Sequence, residues 1–519
     1  MKKTAFPARK ALCTALLMLM LSLLACNLPA TATPPSLPPE IATAVQQTLA
    51  VQPTLRATAL PTLPNTAEPP LSFAGLQTAQ PGQWPPRPAL AGSFTYITQP
   101  GDTQNALQAR FEGLPQSMPP DLPAFGPLPA RLSLTFAQAP AAPYADALLP
   151  DSEIVFSAAA ATFDTAAYVA EANGYLSHYQ EDVKGETLSG AQIVQRVALD
   201  NAINPRLLLA LLDYQAGWVH STQPTRPPET ALGFQVSGAE GLYWQLVLTV
   251  RYLSIGYYGW RDGSQTWLTF VDGSSARLAP ALNPGSVALQ TLFAQLNPPS
   301  AFERALYGPN SFPAFYAAQF GDPWQRAASQ GAQIPAGLSQ PDWQLPWADG
   351  ERWYFTAGPH IAWNNGSPRA ALDFAPPDPQ AEDCGISSSW VRAIAPGRVL
   401  RAERGIVTVD LDDDGNEGTG WVVLYLHIAA RDRVAPGSWL EANAPLGHPS
   451  CEGGIATGTH VHIARKYNGE WIPISQDWPW ILSGWQAIAG DPPYKGQMQR
   501  NGQVIVSNPL GREDTRLGR

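Results

Sequence analysis

The sequence predicts a multidomain α+β chain, with a C-terminal domain that is mainly an antiparallel β-sheet, a central domain that is mostly α-helical, and a small strand-and-helix segment before them. Between residues 188 and 218, apolar side chains recur at intervals of three and four, which is typical of amphipathic helices. Near the C-terminus, the apolar runs 406–409 and 421–426 flank a turn rich in Gly and Asp, which favours strands. The length of 519 residues leaves room for two or three domains.

The N-terminus has the pattern of an export signal. Four basic residues precede an apolar run from about Ala11 to Leu24, which is too short for an ordinary membrane span. The string LLAC ending at Cys26 resembles a bacterial lipobox. We therefore expect a signal peptide at 1–25 and a mature chain that starts at a lipid-modified Cys26, anchored on the extracytoplasmic face of the cell membrane. The alternative is a plain cleaved signal with an incidental cysteine.

Residues 26–88 are rich in Pro, Thr and Ala and contain few large apolar side chains. Such a segment cannot bury enough surface to fold, so we expect an extended tether. No polybasic stretch follows Cys26, so attachment to the membrane would depend on acyl chains alone. The net charge of −10 argues against nucleic acid as a partner, because phosphates require a basic surface.

The next segment, residues 89–145, contains TYITQPGDTQNALQARF, which is similar to the opening of a LysM carbohydrate-binding module. Thr103 is placed to cap an amphipathic helix in which Leu107 and Phe111 keep helical spacing. Several prolines between residues 115 and 123 interrupt the place where a second helix belongs. The alternative is a small structural cap of the same outline.

Residues 146–340 are predicted to be mainly helical. Ser189 is a plausible helix cap, and Asn204 followed by Pro205 is typical of a helix start. The string INPRLLLALLDYQAGW resembles the active-site helix of lysozyme-like transglycosylases, but Gln215 stands where that family has its acidic Glu. An amide cannot protonate a leaving glycosidic oxygen at useful cost. We therefore expect a lysozyme-like domain that is inactive and serves as a glycan-binding or spacer element.

Five of the seven histidines lie in the last third of the chain. In a strand, alternate residues face the same way, so His460 and His462 would project side by side. Asp373 lies between two apolar residues in ALDFA, and His360 precedes it by thirteen residues rich in turn chemistry, so a hairpin would bring both together. Imidazoles and a carboxylate form a common zinc ligand set.

These strings resemble the lysostaphin/LytM-type zinc endopeptidases, and more closely their staphylolysin (LasA) and beta-lytic branch. The usual lysostaphin pattern has a ligand His four residues before the Asp, and here Arg369 takes that place, which alone would suggest a dead enzyme. The staphylolysin branch has the same lead-in and spacing as this chain. The matching positions are Leu345, Pro346, Trp347, Gly358, His360, Cys451, Glu452, Gly453, Gly454, Thr457, Gly458, His460 and His462.

The resemblance implies that His360, Asp373 and His462 bind zinc, while His427 and His460 stand beside the water and the scissile carbonyl. The implied function is that of an exported lipoprotein zinc metalloendopeptidase that hydrolyses peptide bonds of peptidoglycan stem peptides or cross-bridges. One alternative is a catalytically silent LytM-like protein that binds the wall or recruits a hydrolase. A third reading, a ligand-binding receptor lipoprotein, leaves the His/Asp constellation without a role.

Cys384 and Cys451 are the two cysteines left after the signal peptide and the lipidated position are set aside. An isolated pair in an oxidising compartment favours a disulfide. Cys451 also matches a disulfide-bonded position of the family, although Cys384 lies earlier than its expected partner. The bridge would tie the segment after Asp373 to the loop that leads into His460.

The string VDLDDDGNEGTGW follows the opening of a calcium loop at Asp410, Asp412 and Asp414. Its twelfth position is Trp421 rather than Glu, which removes the bidentate ligand. Calcium binding and a plain hairpin turn therefore both remain open. The peptidase domain is expected at 341–495, followed by a C-terminal tail at 496–519.

Overall fold

The computed structural model describes residues 93–122, 124–378 and 384–519. The predicted signal peptide, the lipidated Cys26 and the tether at 26–88 lie outside these residues. All described residues belong to one compact unit, 59–519. Among the helices described, none is both long enough and apolar enough to cross a bilayer.

Residues 93–136 form a strand, a helix and a second strand: β1 (Phe94–Ile97), α1 (Gln104–Phe111) and β2 (Ser133–Phe136). As predicted, Thr103 caps α1, because its side chain accepts a hydrogen bond from the Ala106 N–H. β1 and β2 pair antiparallel. Residues 93–122 and 124–136 contain no second helix, in keeping with the prolines there. The likeness to a LysM module is not confirmed and stays a prediction.

The middle of the chain, here called the helical unit (residues 151–330), is mainly helical as predicted. Its helices are α2 (Ala158–Ala161), α3 (Thr165–Ala172), α4 (Tyr175–His178), α5 (Gly190–Asn201), α6 (Pro205–Ala216), α7 (Leu242–Asp262), α8 (Pro284–Leu296), α9 (Pro299–Tyr307), α10 (Phe312–Phe320) and α11 (Pro323–Gln330). Two short hairpins accompany them, β3 (Gln180–Val183) with β4 (Glu186–Ser189) and β5 (Trp267–Thr269) with β6 (Ser275–Arg277).

The predicted starts of α5 and α6 are confirmed. Ser189 and Gln192 form a reciprocal capping box at α5, and the Asn204 side chain caps α6 with Pro205 in the first helical position. α6 is buried on almost all sides, and its leucines belong to the core of the helical unit. The lysozyme-like character of this unit is not confirmed and stays a prediction.

The remaining strands form the sheet unit (residues 343–518). They are β7 (Arg352–Ile361), β8 (Arg369–Ala375), β9 (Val391–Arg392), β10 (Gly397–Glu403), β11 (Ile406–Asp410), β12 (Trp421–Leu426), β13 (Trp439–Leu440), β14 (Pro445–Gly447), β15 (Val461–Tyr467), β16 (Glu470–Trp471), β17 (Trp480–Leu482), β18 (Trp485–Ala489), β19 (Gly496–Arg500), β20 (Gln503–Val506) and β21 (Arg516–Gly518).

The main sheet is antiparallel, in the order β13-β10-β11-β12-β15-β8-β7-β21, with β16 paired to β15. A second antiparallel sheet has the order β17-β18-β19-β20, and β9 pairs with β14.

The main sheet is buried on both faces, because alternate residues of its strands enter two different hydrophobic cores. One face joins the core of the helical unit through Ala362, Ala371, Ile406, Leu424, Leu426, Ala464 and Trp471. The opposite face joins a second core through Leu372, Phe374, Val407, Val423, Tyr425, Val461 and Ile463. Asp373 and His462 alternate along their strands with residues of the second core. Their side chains therefore lie on the opposite face of the sheet, which is the face that packs against the helical unit.

The predicted C-terminal tail at 496–519 is wrong as a description of this segment. It supplies β19, β20 and β21, and β21 pairs with β7 at the edge of the main sheet. Met498 and Leu517 are fully buried in the second core. These strands are only three to five residues long, so their apolar positions are too few to form a periodic pattern in the sequence.

Candidate metal centre

The main sheet places three predicted ligands side by side. β7 and β8 form the predicted hairpin, in which His360 pairs with Ala371, two residues before Asp373. The register shifts along this pair let His360 reach the carboxylate from the neighbouring strand. On the other side of β8, His462 of β15 is the direct partner of Asp373. The three side chains therefore come from three adjacent strands.

Their ligand atoms converge on one point. His360 Nε2 lies 3.0 Å from His462 Nδ1. The Asp373 Oδ1 atom lies 3.2 Å from the first of these nitrogens and 3.1 Å from the second. All three residues are buried, with Asp373 the most exposed at 9%.

The outer nitrogen of each ring determines what the inner nitrogen can do. His360 Nδ1 lies 2.9 Å from the Gly358 carbonyl, and His462 Nε2 lies 2.9 Å from the Ala362 carbonyl. A carbonyl oxygen only accepts, so each outer nitrogen carries a proton, and whenever the ring is neutral its lone pair lies on the inner nitrogen. Two ring nitrogens and a carboxylate oxygen then face one another at 3.0–3.2 Å, an arrangement that a shared cation, either a proton or a metal ion, would stabilise.

The electrostatics of the cluster favour positive charge at this point. Burial would raise the pKa of Asp373, but His360 and His460 hold it well below its usual value. Burial would lower the pKa of His360, but the Asp373 carboxylate raises it instead. The carboxylate is therefore an anion at neutral pH, in a buried position that attracts positive charge.

The donor set fits zinc. Tetrahedral zinc takes nitrogen and oxygen ligands at about 2.1 Å, which places ligand atoms about 3.4 Å apart. The observed separations of 3.0–3.2 Å require only a small outward adjustment. The carbonyl partners of the two outer nitrogens are the supports that metal-binding histidines usually have.

Two further histidines face the same point. His460 precedes β15, and its Nε2 lies 3.7 Å from Asp373 Oδ2. His427 follows β12, and its ring centroid lies 4.4 Å from that of His460. Their Nδ1 atoms donate to the carbonyls of Gly458 and Glu452, at 2.8 and 2.9 Å, so both rings present Nε2 to the site.

His427 is held in a sparsely populated backbone conformation, with φ of +68°. Such a conformation costs about 1–3 kcal/mol in a residue with a side chain and is concentrated at functional sites. Burial, together with the neighbouring His460 and His462, lowers the pKa of His427 to about 3. The ring is therefore neutral at physiological pH, with a lone pair on Nε2.

The loop that leads to His460 is tied to the segment after Asp373. Cys384 and Cys451, for which a disulfide is predicted, are bonded in the structure. The Thr459 hydroxyl also donates to the Gly385 carbonyl at 2.5 Å. These two links set the position of the loop on which His460 stands.

Arg369 lies at the start of β8, at the position where the lysostaphin pattern has its first histidine. Its guanidinium donates to the Gly490 carbonyl at 2.9 Å and lies 3.8 Å from the Asp491 carboxylate. The imidazole beside Asp373 is supplied by His360 from the adjacent strand. His360 therefore takes the place in space that the histidine at the Arg369 position has in the lysostaphin pattern, although it lies elsewhere in the sequence.

Tyr494 is a site residue that the sequence analysis missed. Its ring stacks on His360 with centroids 4.5 Å apart, and its backbone carbonyl accepts from the Gly358 N–H at 2.9 Å. Gly358 needs to be glycine here, because a Cβ would lie 2.6 Å from the Gly496 nitrogen. In the sequence, the glycine two residues before His360 indicates that another backbone segment comes close to Gly358. It does not indicate that this segment is the one that contains Tyr494.

Calcium is not supported at Asp410, Asp412 and Asp414. Ligand atoms of the three lie within 4.8 Å of one another, but exposed acidic groups are common in such turns. The Asp410 carboxylate accepts from the Gly415 N–H, and the Asp414 carboxylate accepts from the Asn416 N–H. Since β11 and β12 are antiparallel neighbours, the hairpin turn, the other reading of this string, accounts for the loop.

The comparisons with known proteins agree with these motifs. Residues 147–335 match the family model described as LasA, N-terminal domain. Protease LasA of Pseudomonas aeruginosa, in strains UCBPP-PA14 and PAO1, is 28% identical over 298 residues, which cover 53% of this chain and 65% of the relative. The chain thus spans less than two thirds of the length of these curated relatives.

Two solved structures are also similar. One is a novel M23 metalloprotease, pseudoalterin, from the deep sea, with 22% identity, 35% of this chain and 100% of that chain covered, and a TM-score of 0.27. The other is the catalytic domain of lysostaphin from Staphylococcus simulans, with 20% identity, 24% and 88% coverage, and a TM-score of 0.18. Neither score establishes a shared fold. The sequence relatives and the family model together show that this chain resembles the LytM-type metallopeptidases of the LasA branch.

Proposed function

We propose that this chain is a zinc metalloendopeptidase that hydrolyses peptide bonds in peptidoglycan stem peptides or cross-bridges. The observation that carries the proposal is the convergence of two imidazole nitrogens and an ionised carboxylate at 3.0–3.2 Å, with both outer nitrogens held by carbonyls. The similarity to Protease LasA supports it.

The five site residues divide the work of hydrolysis. His360, Asp373 and His462 would hold the metal, which when bound supplies the Lewis acidity that makes water nucleophilic near neutral pH. His427 and His460 turn Nε2 toward the same space, where a neutral ring accepts a proton and a ring that has been protonated returns it or stabilises developing negative charge. Their Nδ1–H bonds to carbonyls keep these rings in the tautomer that the role requires.

The second candidate is a catalytically silent LytM-like protein that docks on the wall or recruits a hydrolase. It would be favoured if Arg369 left the metal with too few ligands. The position of His360, 3.2 Å from the Asp373 carboxylate, speaks against that outcome. We therefore place the peptidase first.

Export and attachment complete the proposal. We propose that lipidation at Cys26 anchors the mature chain to the cell membrane on its extracytoplasmic face and that the segment 26–88 lets the catalytic part reach the wall. We also propose that the LysM-like segment and the helical unit contact glycan strands. All three statements rest on the sequence patterns.

The test is zinc stoichiometry and clearing of purified peptidoglycan, measured in the same samples for the parent chain and for His360→Ala. We expect about one zinc per chain and clearing in the parent, and loss of both in the variant, because the cluster would keep only one imidazole and the carboxylate. His178→Ala is the matched control, since it removes a histidine of the helical unit outside the site.

A parent chain that binds one zinc and leaves peptidoglycan intact would favour the silent binding protein. A His360→Ala variant that keeps its zinc would show that His360 is not a ligand. Loss of zinc in His178→Ala would mean that the assay reports general damage rather than ligation.

A further inference from the structure

A short loop of the sheet unit lies beside the candidate metal centre. It connects β18 to β19 and spans residues 490–495. Most of its residues are exposed, and Tyr494 is 48% exposed. An exposed loop is more mobile than the strands that it connects unless specific contacts fix it. The contacts that this loop makes with β7 and β8 therefore determine its position.

Tyr494 connects the loop to His360 through its ring and its backbone. The ring stacks on the imidazole, with centroids 4.5 Å apart and planes at 20°. The Tyr494 carbonyl accepts from the Gly358 N–H at 2.9 Å, and the Gly358 carbonyl is the acceptor for His360 Nδ1. The Tyr494 N–H donates to the Pro359 carbonyl at 3.4 Å. The loop thus holds the two residues before His360, and one of them determines which ring nitrogen faces the site.

The backbone of Tyr494 needs support from outside the loop. Its φ is +73°, a conformation that costs about 1–3 kcal/mol in a residue with a side chain and persists only where surrounding contacts impose it. The Ser507 hydroxyl, just after β20, donates to the Tyr494 carbonyl at 3.1 Å. At the end of the loop, a Cβ at Gly496 would lie 2.7 Å from the Pro359 side chain and 3.2 Å from the Gly358 Cα. This end of the loop is therefore packed directly on β7.

Arg369 holds the opposite end of the loop. Its Nη1 donates to the Gly490 carbonyl at 2.9 Å, and the Gly490 N–H donates to the Lys495 carbonyl at 3.0 Å. The second bond closes the loop, so the residue after Tyr494 is tied to the residue that Arg369 holds. Arg369 is itself fixed at the start of β8, because its carbonyl accepts from the Ile474 N–H at 2.9 Å.

The hydrogen bond to Gly490 is the main contact between Arg369 and the loop. Asp491 also lies near, with its carboxylate 3.8 Å from Arg369 Nη2, but its side chain is 96% exposed. Such an exposed ion pair contributes little, because water screens it. A guanidinium that donates to a carbonyl at 2.9 Å forms a charge-assisted hydrogen bond, which is stronger than one between neutral groups.

We infer that Arg369 is a positioning residue for His360 and that it acts through the 490–495 loop. The residue at the place of the lysostaphin-pattern histidine then supports the histidine that supplies the ligand instead. The inference rests on the proposed function, since it assigns Arg369 to the metal site described there. Contacts that orient a metal-binding histidine are worth about 10–100-fold in metal affinity or activity. Because Arg369 acts through the loop, we expect the lower end of this range.

The test measures the zinc affinity of Arg369→Ala and Arg369→Lys in the full chain, by competition with a chromogenic chelator. For Arg369→Ala we expect a fall of about tenfold, because the loop loses its anchor and His360 loses its fixed orientation. For Arg369→Lys we expect an affinity close to that of the parent, because an ammonium group can donate to the same carbonyl. Thermal unfolding of each variant shows whether it is folded at the assay temperature.

The visible spectrum of the cobalt-substituted chain gives a second readout. Metal spectra depend on the identity and geometry of the ligands. We expect the Co²⁺ bands to shift in Arg369→Ala, because the direction of His360 changes, and to be retained in Arg369→Lys. A purely structural role for Arg369 would lower the folded fraction and leave the spectrum of the folded molecules unchanged.

Arg352→Ala is the matched control. Arg352 is also an arginine that donates to a backbone carbonyl, that of Arg516 at 3.1 Å, but it lies at the opposite end of β7 from His360. Its removal should leave zinc affinity and the Co²⁺ bands unchanged. Tyr494→Ala removes the stacked ring and should lower zinc affinity, and its loss should not add to that of Arg369→Ala in the double variant, because both act on His360 through one loop.

Parent values of zinc affinity and parent Co²⁺ bands in folded Arg369→Ala would overturn the inference. A raised KM for peptidoglycan clearing with unchanged zinc affinity would also overturn it, since Arg369 would then contact the substrate. Fully additive losses in the double variant would show that Arg369 does not act through Tyr494. A parent that binds zinc without clearing peptidoglycan would count against the proposed function alone, whereas a parent that binds no zinc would overturn both.

Discussion

Each of the four histidines around the candidate metal centre hydrogen-bonds to a backbone carbonyl through one of its two ring nitrogens. Three of them use Nδ1, and His462 uses Nε2. The reversed tautomer of His462 turns its Nδ1 toward Asp373 and His360, within reach of a shared ion. At the scale of single residues, four backbone carbonyl groups therefore determine which nitrogen of each ring faces the site. A motif of side chains in the sequence does not identify these carbonyls.

Buried charge near the site is likewise compensated by specific partners. Glu417 is buried and bonds to Arg401 and Lys466, and Arg401 also bonds to Asp200 of the helical unit. Burial would raise the pKa of Glu417, but these two cations lower it to about 2. The carboxylate is therefore ionised in the folded chain at any pH above that value.

We predict a pH dependence of stability from this group. The pKa of Glu417 falls on folding from about 4.5 to about 2. Its contribution is then fully present above about pH 4.5 and is lost as the pH falls toward 2, with a total on the order of 3 kcal/mol. Urea unfolding between pH 2 and 6 should show a smaller loss over this interval for Glu417→Gln than for the parent.

The variant should also be less stable at pH 7, because the buried Lys466 loses its carboxylate partner and Arg401 keeps only Asp200. Glu171→Gln, which changes an exposed carboxylate, should follow the parent at every pH. Parallel pH profiles of the parent and Glu417→Gln would contradict the prediction.

At the scale of elements, the site is built by turns rather than by strands alone. The strands place His360, Asp373 and His462 next to one another, but the turns at 362–368 and 404–405 carry or contact the carbonyls that orient the rings. Close approach between the 404–405 turn and the 452–453 loop is possible because Gly405 and Gly453 lack side chains.

We predict that Gly405→Ala is more damaging than its backbone conformation alone requires. A left-handed residue that acquires a Cβ costs about 1–2 kcal/mol. At Gly405 the new atom would also lie 2.5 Å from the Glu452 carbonyl, so the loop that holds His427 must shift. We expect a larger loss in the free energy of unfolding and a fall in peptidoglycan clearing per folded molecule.

Gly185→Ala is the matched control for this prediction. Gly185 has a φ of +84° in the β3–β4 turn, and a Cβ there would meet nothing within 4 Å. It should lose about 1–2 kcal/mol in stability with clearing unchanged. Equal effects of the two substitutions on clearing and stability would show that the contact with Glu452 does not matter.

At the scale of the whole molecule, the core of the helical unit includes residues of the main sheet, whereas the second core lies within the sheet unit. Trp471 of β16 and Leu424 of β12 are buried among helical residues. Arg261 of α7 pairs with Glu470 at 2.7 Å, and Tyr257 donates to the same carboxylate at 2.8 Å. Removing either unit would therefore expose apolar surface and an unpaired buried charge.

We predict that residues 93–519 unfold in a single cooperative transition. Differential scanning calorimetry should give a calorimetric enthalpy equal to the van't Hoff enthalpy, because the core of the helical unit is completed by residues of the sheet. A fragment limited to 341–495 should fail to fold, since it also lacks β21, the partner of β7. Two separate transitions, or a folded 341–495 fragment, would contradict this picture.

The sequence by itself determined the local features of this chain. Helix starts at Thr103, Ser189 and Asn204 follow from capping chemistry within a few residues, and the structure confirms them. The hairpin that brings His360 beside Asp373 follows from turn residues between two apolar runs. The resemblance to the LasA branch follows from motifs that are contiguous in sequence, and the comparisons support it.

Only the tertiary structure decided how distant segments meet. Tyr494 on His360, β21 beside β7, and Asp200 with Asn201 against two turns all join residues separated by more than a hundred positions. No local pattern encodes such pairs, because periodicity and capping report the conformation of a segment and not its neighbour. The positions of these residues depend on which apolar faces are buried together, and that is a property of the whole chain.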